Sequence, residues 1–220
     1  MKRSFFKFFS NLVFANNFLD GRVHCKSLQY FSDLEDRQVR GDANDGSLVY
    51  DPKGGLVLTK VLSGEIVALP DHVFRSSVKK AEIFIFCMSN WCSDRLWNDF
   101  DAAACVEITD RKRFLSLFQA KVESSGSKWH GDHVGYWDHS APPKHTWALP
   151  ELVCINKGLS FAHQSEYRAF FGQPDVFGKE GVDTSVVPRT SIPEKNEEAA
   201  RKIRTIEIGD IRGMCRLHTR

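Results

Sequence analysis

Apolar residues fall along this chain in short alternating runs, broken by two stretches of helical spacing. FFKFF at Phe5–Phe9 predicts a short strand interrupted only by Lys7. Ser10 or Asn11 then caps a helix whose apolar face is Leu12, Phe14, Ala15, Phe18 and Leu19. Asp20-Gly21 closes it, with glycine suited to the left-handed position after a helix. Alternation predicts a strand over residues 22–28, and a turn or short helix begins over 30–34. Short strands are expected at Ser47–Tyr50, 56–62 and 65–69, joined by Gly-containing turns. AEIFIFCM at 81–88 is the strongest strand and reads as buried on both faces.

Residues 94–100 suggest a short helix and 103–108 another buried strand. Asp110 is placed to cap an amphipathic helix over 111–122, with Phe114, Leu115, Leu117, Phe118 and Val122 on or near one side. A Trp- and His-rich stretch follows, and strands are expected at 151–155 and 165–171. Residues 172–196, rich in Gly, Pro and Thr, form a long excursion. A helical turn at 197–201 and a strand at 204–211 end the pattern. Strands do not alternate regularly with helices, so residues 1–220 read as a single α+β domain.

At 220 residues the chain is long enough to bury a core without disulfides or metal. Seventeen Phe against four Tyr make that core rich in apolar aromatics. A formal charge of +2 supplies no global field toward nucleic acid or anionic membrane. No apolar run approaches the ~20 residues of a membrane span. The basic, then apolar, start superficially resembles a signal peptide. Lys7, Asn11, Asn16 and Asn17 break it, and it reads as folded structure. The six cysteines are scattered, mostly inside apolar stretches, which fits a reducing cytoplasm.

His130, His133, His139 and His145, with Cys87 and Cys92, lack the paired spacing of a structural zinc site, so no metal is expected. Cys92 or Cys105 as a nucleophile would need a base within reach; buried structural cysteine is the simpler reading. Nothing matches a glycine-rich phosphate motif. The loop around Arg40, Asp42 and Asp45 reads either as a solvated connection or as a ligand-facing clamp, with Arg40 offering a fork of donors to phosphate. If 164–168 is a strand, Gln164, Glu166 and Arg168 share one face. The carboxylate and amide then stand about 7 Å apart.

Several short motifs recur in a telling order. They are D-G-x-x-x-C-x-S-L-x-Y-F from Asp20, R-G-D-x-x-x-G from Arg40, I-F-C-M, V-E-I, E-Y-R and I-G-D-I. This order resembles a group of bacterial and phage-associated proteins and is more distantly similar to the DUF2971 family. The arrangement is in turn similar to the ADP-ribosyltransferase fold. The resemblance implies a mixed, mostly antiparallel split sheet with a few flanking helices and NAD lying across the split. It assigns the late catalytic carboxylate to Glu166 and the adjoining amide to Gln164. Ser27 and Tyr30 take the second-strand positions, and Lys7 or His24 the first-strand contact to NAD. Arg40 becomes a phosphate clamp.

In that chemistry Glu166 holds the ribose 2′-hydroxyl and steadies the positive charge that forms as the glycosidic bond breaks. Gln164 steers the acceptor, and the nicotinamide stacks on Tyr30 or a nearby Phe. The competing expectation is a non-catalytic phage or defence protein that binds a protein partner through the aromatic stretch at 129–147. Single-stranded nucleic acid stacking on the same rings is the third reading, and the near-neutral charge counts against it.

Overall fold

The computed structural model describes residues 4–33, 43–191 and 195–220. In chain order the first elements are β1 (Phe5–Phe9), α1 (Leu12–Leu19), β2 (Arg22–Ser27), α2 (Leu28–Asp33), β3 (Ser47–Tyr50), β4 (Leu56–Thr59), β5 (Ile66–Leu69), β6 (His72–Val78) and β7 (Phe84–Ser89). Next come α3 (Asp94–Asp99), β8 (Ala104–Ile108), α4 (Arg111–Glu123), β9 (Lys128–His133), β10 (Gly135–Trp137), α5 (Pro150–Cys154), β11 (Asn156–Gly158) and β12 (Glu166–Gly172). The last are β13 (Val182–Pro188), α6 (Glu197–Ala200), β14 (Ile203–Glu207) and β15 (Cys215–Thr219).

Local chemistry starts and stops the main helices as their sequences suggest. The Asn11 side chain accepts from the Phe14 N–H at the start of α1, and Asp110 does the same for Arg113 at the start of α4. Gly21, at φ +90°, turns the chain from α1 into β2 against the backbone of Gly209.

Among the described residues eight strands form the main sheet, ordered β14-β2-β7-β1-β8-β15, with β12 also on β7 and β9 beyond it. Every pairing in it is antiparallel. A three-stranded antiparallel sheet, β13-β6-β3, and a β4-β5 hairpin stand apart; β10 and β11 make a short parallel pair. The protein is therefore α+β, with mostly antiparallel sheets and several short helices.

One face of the main sheet packs under α1 and α4, where Phe18, Phe86, Phe114, Phe118 and Phe171 are fully or almost fully buried. The other carries Ile85 and Phe170 against Leu48, Val78 and Val153 from β3, β6 and α5. The abundance of Phe is thus a core property. Among the described residues no helix is long and apolar enough to cross a membrane.

Three expectations change. Of the residues 151–155 expected to be extended, 151–154 are helical: Pro150 at the first helical position presets φ, and α5 buries Val153 and Cys154 on one side. The excursion at 172–196 contains an ordered strand, β13, paired with β6 over seven residue pairs. The strand at 165–171 begins one residue later, because Ser165 is left-handed at φ 42°. Strands β6, β9 and β15 carry weak local signals, and pairing to a neighbour makes them strands.

Candidate functional site

Strand β7 organises the site. One edge is paired with β12 from Glu166↔Ser89 to Phe171↔Phe84. On its other edge β2 pairs at Phe84 and Ile85, and β1 at Ser89. Between these contacts, Phe86, Cys87 and Met88 have no strand neighbour on that edge among the described residues. Both β1 and β2 run antiparallel to β7, and each continues against its own outer partner, β8 or β14. They splay apart, and the sheet is split at its centre.

A hollow of about 340 Å³ opens at this split. Its apolar wall includes Phe6, Phe8, Phe14, Tyr30, Phe31 and Phe100. Its polar groups include Lys7, Lys26, Lys157, Gln164 and Glu166. Such a mixture of rings and a few converging polar groups is the usual make-up of a small-molecule site.

Glu166 opens β12 at the floor of the hollow. Its Oε1 accepts from Arg168 Nε at 2.6 Å, and its Oε2 from Lys157 Nζ at 3.2 Å. Its backbone N–H donates to Tyr136 Oη at 2.8 Å. Burial alone would raise the carboxyl's pKa, but Arg168 and Lys157 outweigh it and hold Glu166 well below the usual carboxylate range. The group stays ionised.

Arg168, two residues along the same strand face, is 0% exposed and forks onto Asp45 at 2.6 and 2.9 Å. It also donates to the Cys154 carbonyl at 2.7 Å. Lys157 donates to Gln164 Oε1 at 2.9 Å. The chain Asp45–Arg168–Glu166–Lys157 therefore balances two negative charges against two positive ones.

Lys7 and Lys26 stand outside that balance. Among the described residues neither has a carboxylate within ion-pair distance. Lys7 Nζ reaches into the split, donates to the Cys87 carbonyl at 2.8 Å and lies 4.5 Å from the centre of the Phe86 ring. Burial lowers its pKa. Lys26 Nζ lies 4.6 Å from the Tyr30 ring centre, and partial burial lowers its pKa too. Two amines over a neutral floor make the hollow attractive to anions.

The structure brings together Glu166, Gln164, Lys7 and Tyr30 of the expected set. Gln164 reaches the hollow from the end of a 3-10 turn spanning Leu159–Gln164 rather than from the strand. Ser27 turns away, its hydroxyl donating to the Ala199 carbonyl at 2.7 Å. His24 is on the exposed side of β2, 2.8 Å from Thr205 Oγ1. Alternation in β2 puts Lys26 on the face of His24, one step nearer the split, where it pairs with Ile85 of β7. Arg40 lies outside the described residues. Lys157 was missed, and its local sequence carries no signal for it; Asp45, read as part of a solvated or ligand-facing loop, is instead the buried partner of Arg168.

The cysteines and the aromatic stretch are accounted for otherwise. Burial pushes the Cys87 and Cys105 thiols up, away from nucleophilic use. Among the described residues no three His, Cys, Asp or Glu side chains gather as a metal site. The tryptophans of 129–147 turn inward: Trp129 packs on Phe118 with ring centres 4.8 Å apart, and Trp137 on the buried Trp147 at 5.6 Å. His130 stacks on Phe170. These rings extend the core rather than form an exposed aromatic face.

No family model, no curated protein and no solved structure matches this chain.

Proposed function

We propose that the hollow at the split is a nucleotide site and that the protein is ADP-ribosyltransferase-like, taking NAD there and transferring ADP-ribose to a macromolecular acceptor. One observation carries this reading. At a break in the central sheet, an ionised carboxylate and an amide meet two amines without carboxylate partners, within an aromatic wall. An α+β fold with mostly antiparallel sheets supports the reading.

The roles follow from charge and reach. Lys26 favours the diphosphate, and Tyr30 or a neighbouring Phe receives the nicotinamide ring. Glu166 supplies a fixed negative charge beside the ribose, stabilising the cation that develops as nicotinamide leaves. A hollow of about 340 Å³ suits the nicotinamide end, with the adenylate end outside it.

The test pairs NAD-dependent melting with nicotinamide release. Glu166→Gln keeps the side-chain volume and one acceptor for Arg168, so the NAD-induced melting shift should persist while nicotinamide release is lost. Release at the wild-type rate in that variant, or no melting shift in the wild type, overturns the reading.

A second reading, a non-catalytic binding protein of phage or defence origin, is favoured by one feature of the same geometry. Each Glu166 oxygen already accepts from a cation, Oε1 from Arg168 and Oε2 from Lys157, so a ribose hydroxyl meets a carboxylate whose charge is already neutralised. If so, NAD shifts the melting temperature without any nicotinamide appearing. The protein partner would then be met on a surface other than the inward-turned tryptophans.

A further inference from the structure

We propose that Lys7 is a carbonyl-capturing amine: it forms an imine with an aldehyde or ketone that carries an anionic group and enters the hollow at the sheet split. This goes beyond NAD binding and does not rest on it.

The argument begins with where Lys7 stands. It is the polar interruption of an otherwise aromatic strand, and β1 leaves β7 immediately after the Phe6↔Ser89 contact. The side chain therefore enters the split instead of solvent. There its Nζ has a carbonyl oxygen on one side and the Phe86 ring on another. The nearest carboxylate in the hollow, Glu166, is already held by Arg168 and Lys157. An ammonium half-buried at the split without its own counter-ion is disfavoured, and the neutral amine gains. Burial accordingly lowers the Lys7 pKa. Desolvated lysines in apolar pockets are the usual source of amine nucleophiles at neutral pH.

The rest of the hollow sets the partner's chemistry. Rings on β1, α1 and α2 favour an apolar or aromatic body. Lys26, paired with no carboxylate among the described residues, favours a negative charge on it. The step balances without a further reagent. The Nζ lone pair forms the C–N bond, the nitrogen gives up its two protons to the carbonyl oxygen, which leaves as water, and a C=N bond remains.

The probe is 4-formylbenzoate, small, aromatic and anionic, with cyanoborohydride to reduce the imine and peptide mass mapping to locate it. Exposed lysines such as Lys60, whose ammonium is paired with Glu65 at the surface, serve as internal references. An ordinary lysine at neutral pH has roughly one free amine in a thousand, so each pKa unit lost multiplies the reactive fraction about tenfold. Lys7 should be labelled at least about tenfold faster than Lys60 at about pH 7. Labelling of Lys7 no faster than Lys60 overturns the proposal. Equal Lys7 rates with benzaldehyde and 4-formylbenzoate overturn its anionic part. Mapping on the native chain keeps the answer independent of whether a Lys7→Met variant folds.

Discussion

Replacing Arg168 by Met removes the guanidinium that three buried acceptors share. Arg168 meets Asp45 through two hydrogen bonds, Glu166 through one and the Cys154 carbonyl through one, all between 2.6 and 2.9 Å. Asp45 is 0% exposed and Glu166 5%. Met matches the stem of arginine and packs without strain, so the loss comes from stranding two carboxylates in a dry interior. Removing one partner of a buried ion pair costs about 3–5 kcal/mol. For a chain of this size that is a fall in melting temperature of about 10 °C.

The pH dependence separates this cause from lost packing. In the wild type the Glu166 pKa lies below its unfolded value, which is near 4.3. Its stabilising contribution is therefore complete above about pH 4.3 and is lost as pH falls through the lower, folded value. In Arg168→Met only Lys157 still faces that carboxylate, and burial pushes its pKa up instead. A raised carboxyl pKa costs stability as pH rises. The gap between variant and wild type should thus be widest near about pH 8 and shrink toward about pH 4. Urea unfolding at several pH values measures it. A gap below about 1 kcal/mol, or one that is constant with pH, refutes the reasoning.

Other outcomes follow from single contacts. Gly21→Ala places a Cβ against the Gly209 carbonyl at φ +90°, whereas Gly209→Ala, at φ +79°, meets open space. Urea unfolding should show the first losing more than the ~1 kcal/mol of strain expected for the second, and equal losses would contradict the close-approach argument. Phe118→Ala empties a site where Phe86, Phe114, Trp129 and Phe171 converge, and should cost about 3–5 kcal/mol by the same assay.

Helices α1 and α4 were legible because their signals are local: a capping side chain, a spaced apolar face and, after α1, a left-handed glycine. The strands β1, β7, β8 and β12 were legible for the same reason, each a short run of β-branched and aromatic residues. The shared face of Glu166 and Arg168 needed only the two-residue period of a strand, and the 2.6 Å contact between them agrees. Two local backbone signals were read past. Residues 151–155 looked extended until Pro150 started a helix, and Gln164 looked like part of a strand until Ser165 turned left-handed.

The chain's own pattern dictated an α+β domain, its Phe-rich interior, its main helices and a carboxylate paired along one strand face. Tertiary structure alone decided that this carboxylate is buried, that its guanidinium partner is held by Asp45 from 123 residues away, and that Lys157 closes the chain. It alone opened the hollow, because β1 and β2 compete for one edge of β7 and diverge toward β8 and β14. Backbone periodicity is written in neighbouring residues. A gap between strands arises from pairings among segments far apart in sequence, and no local window contains them.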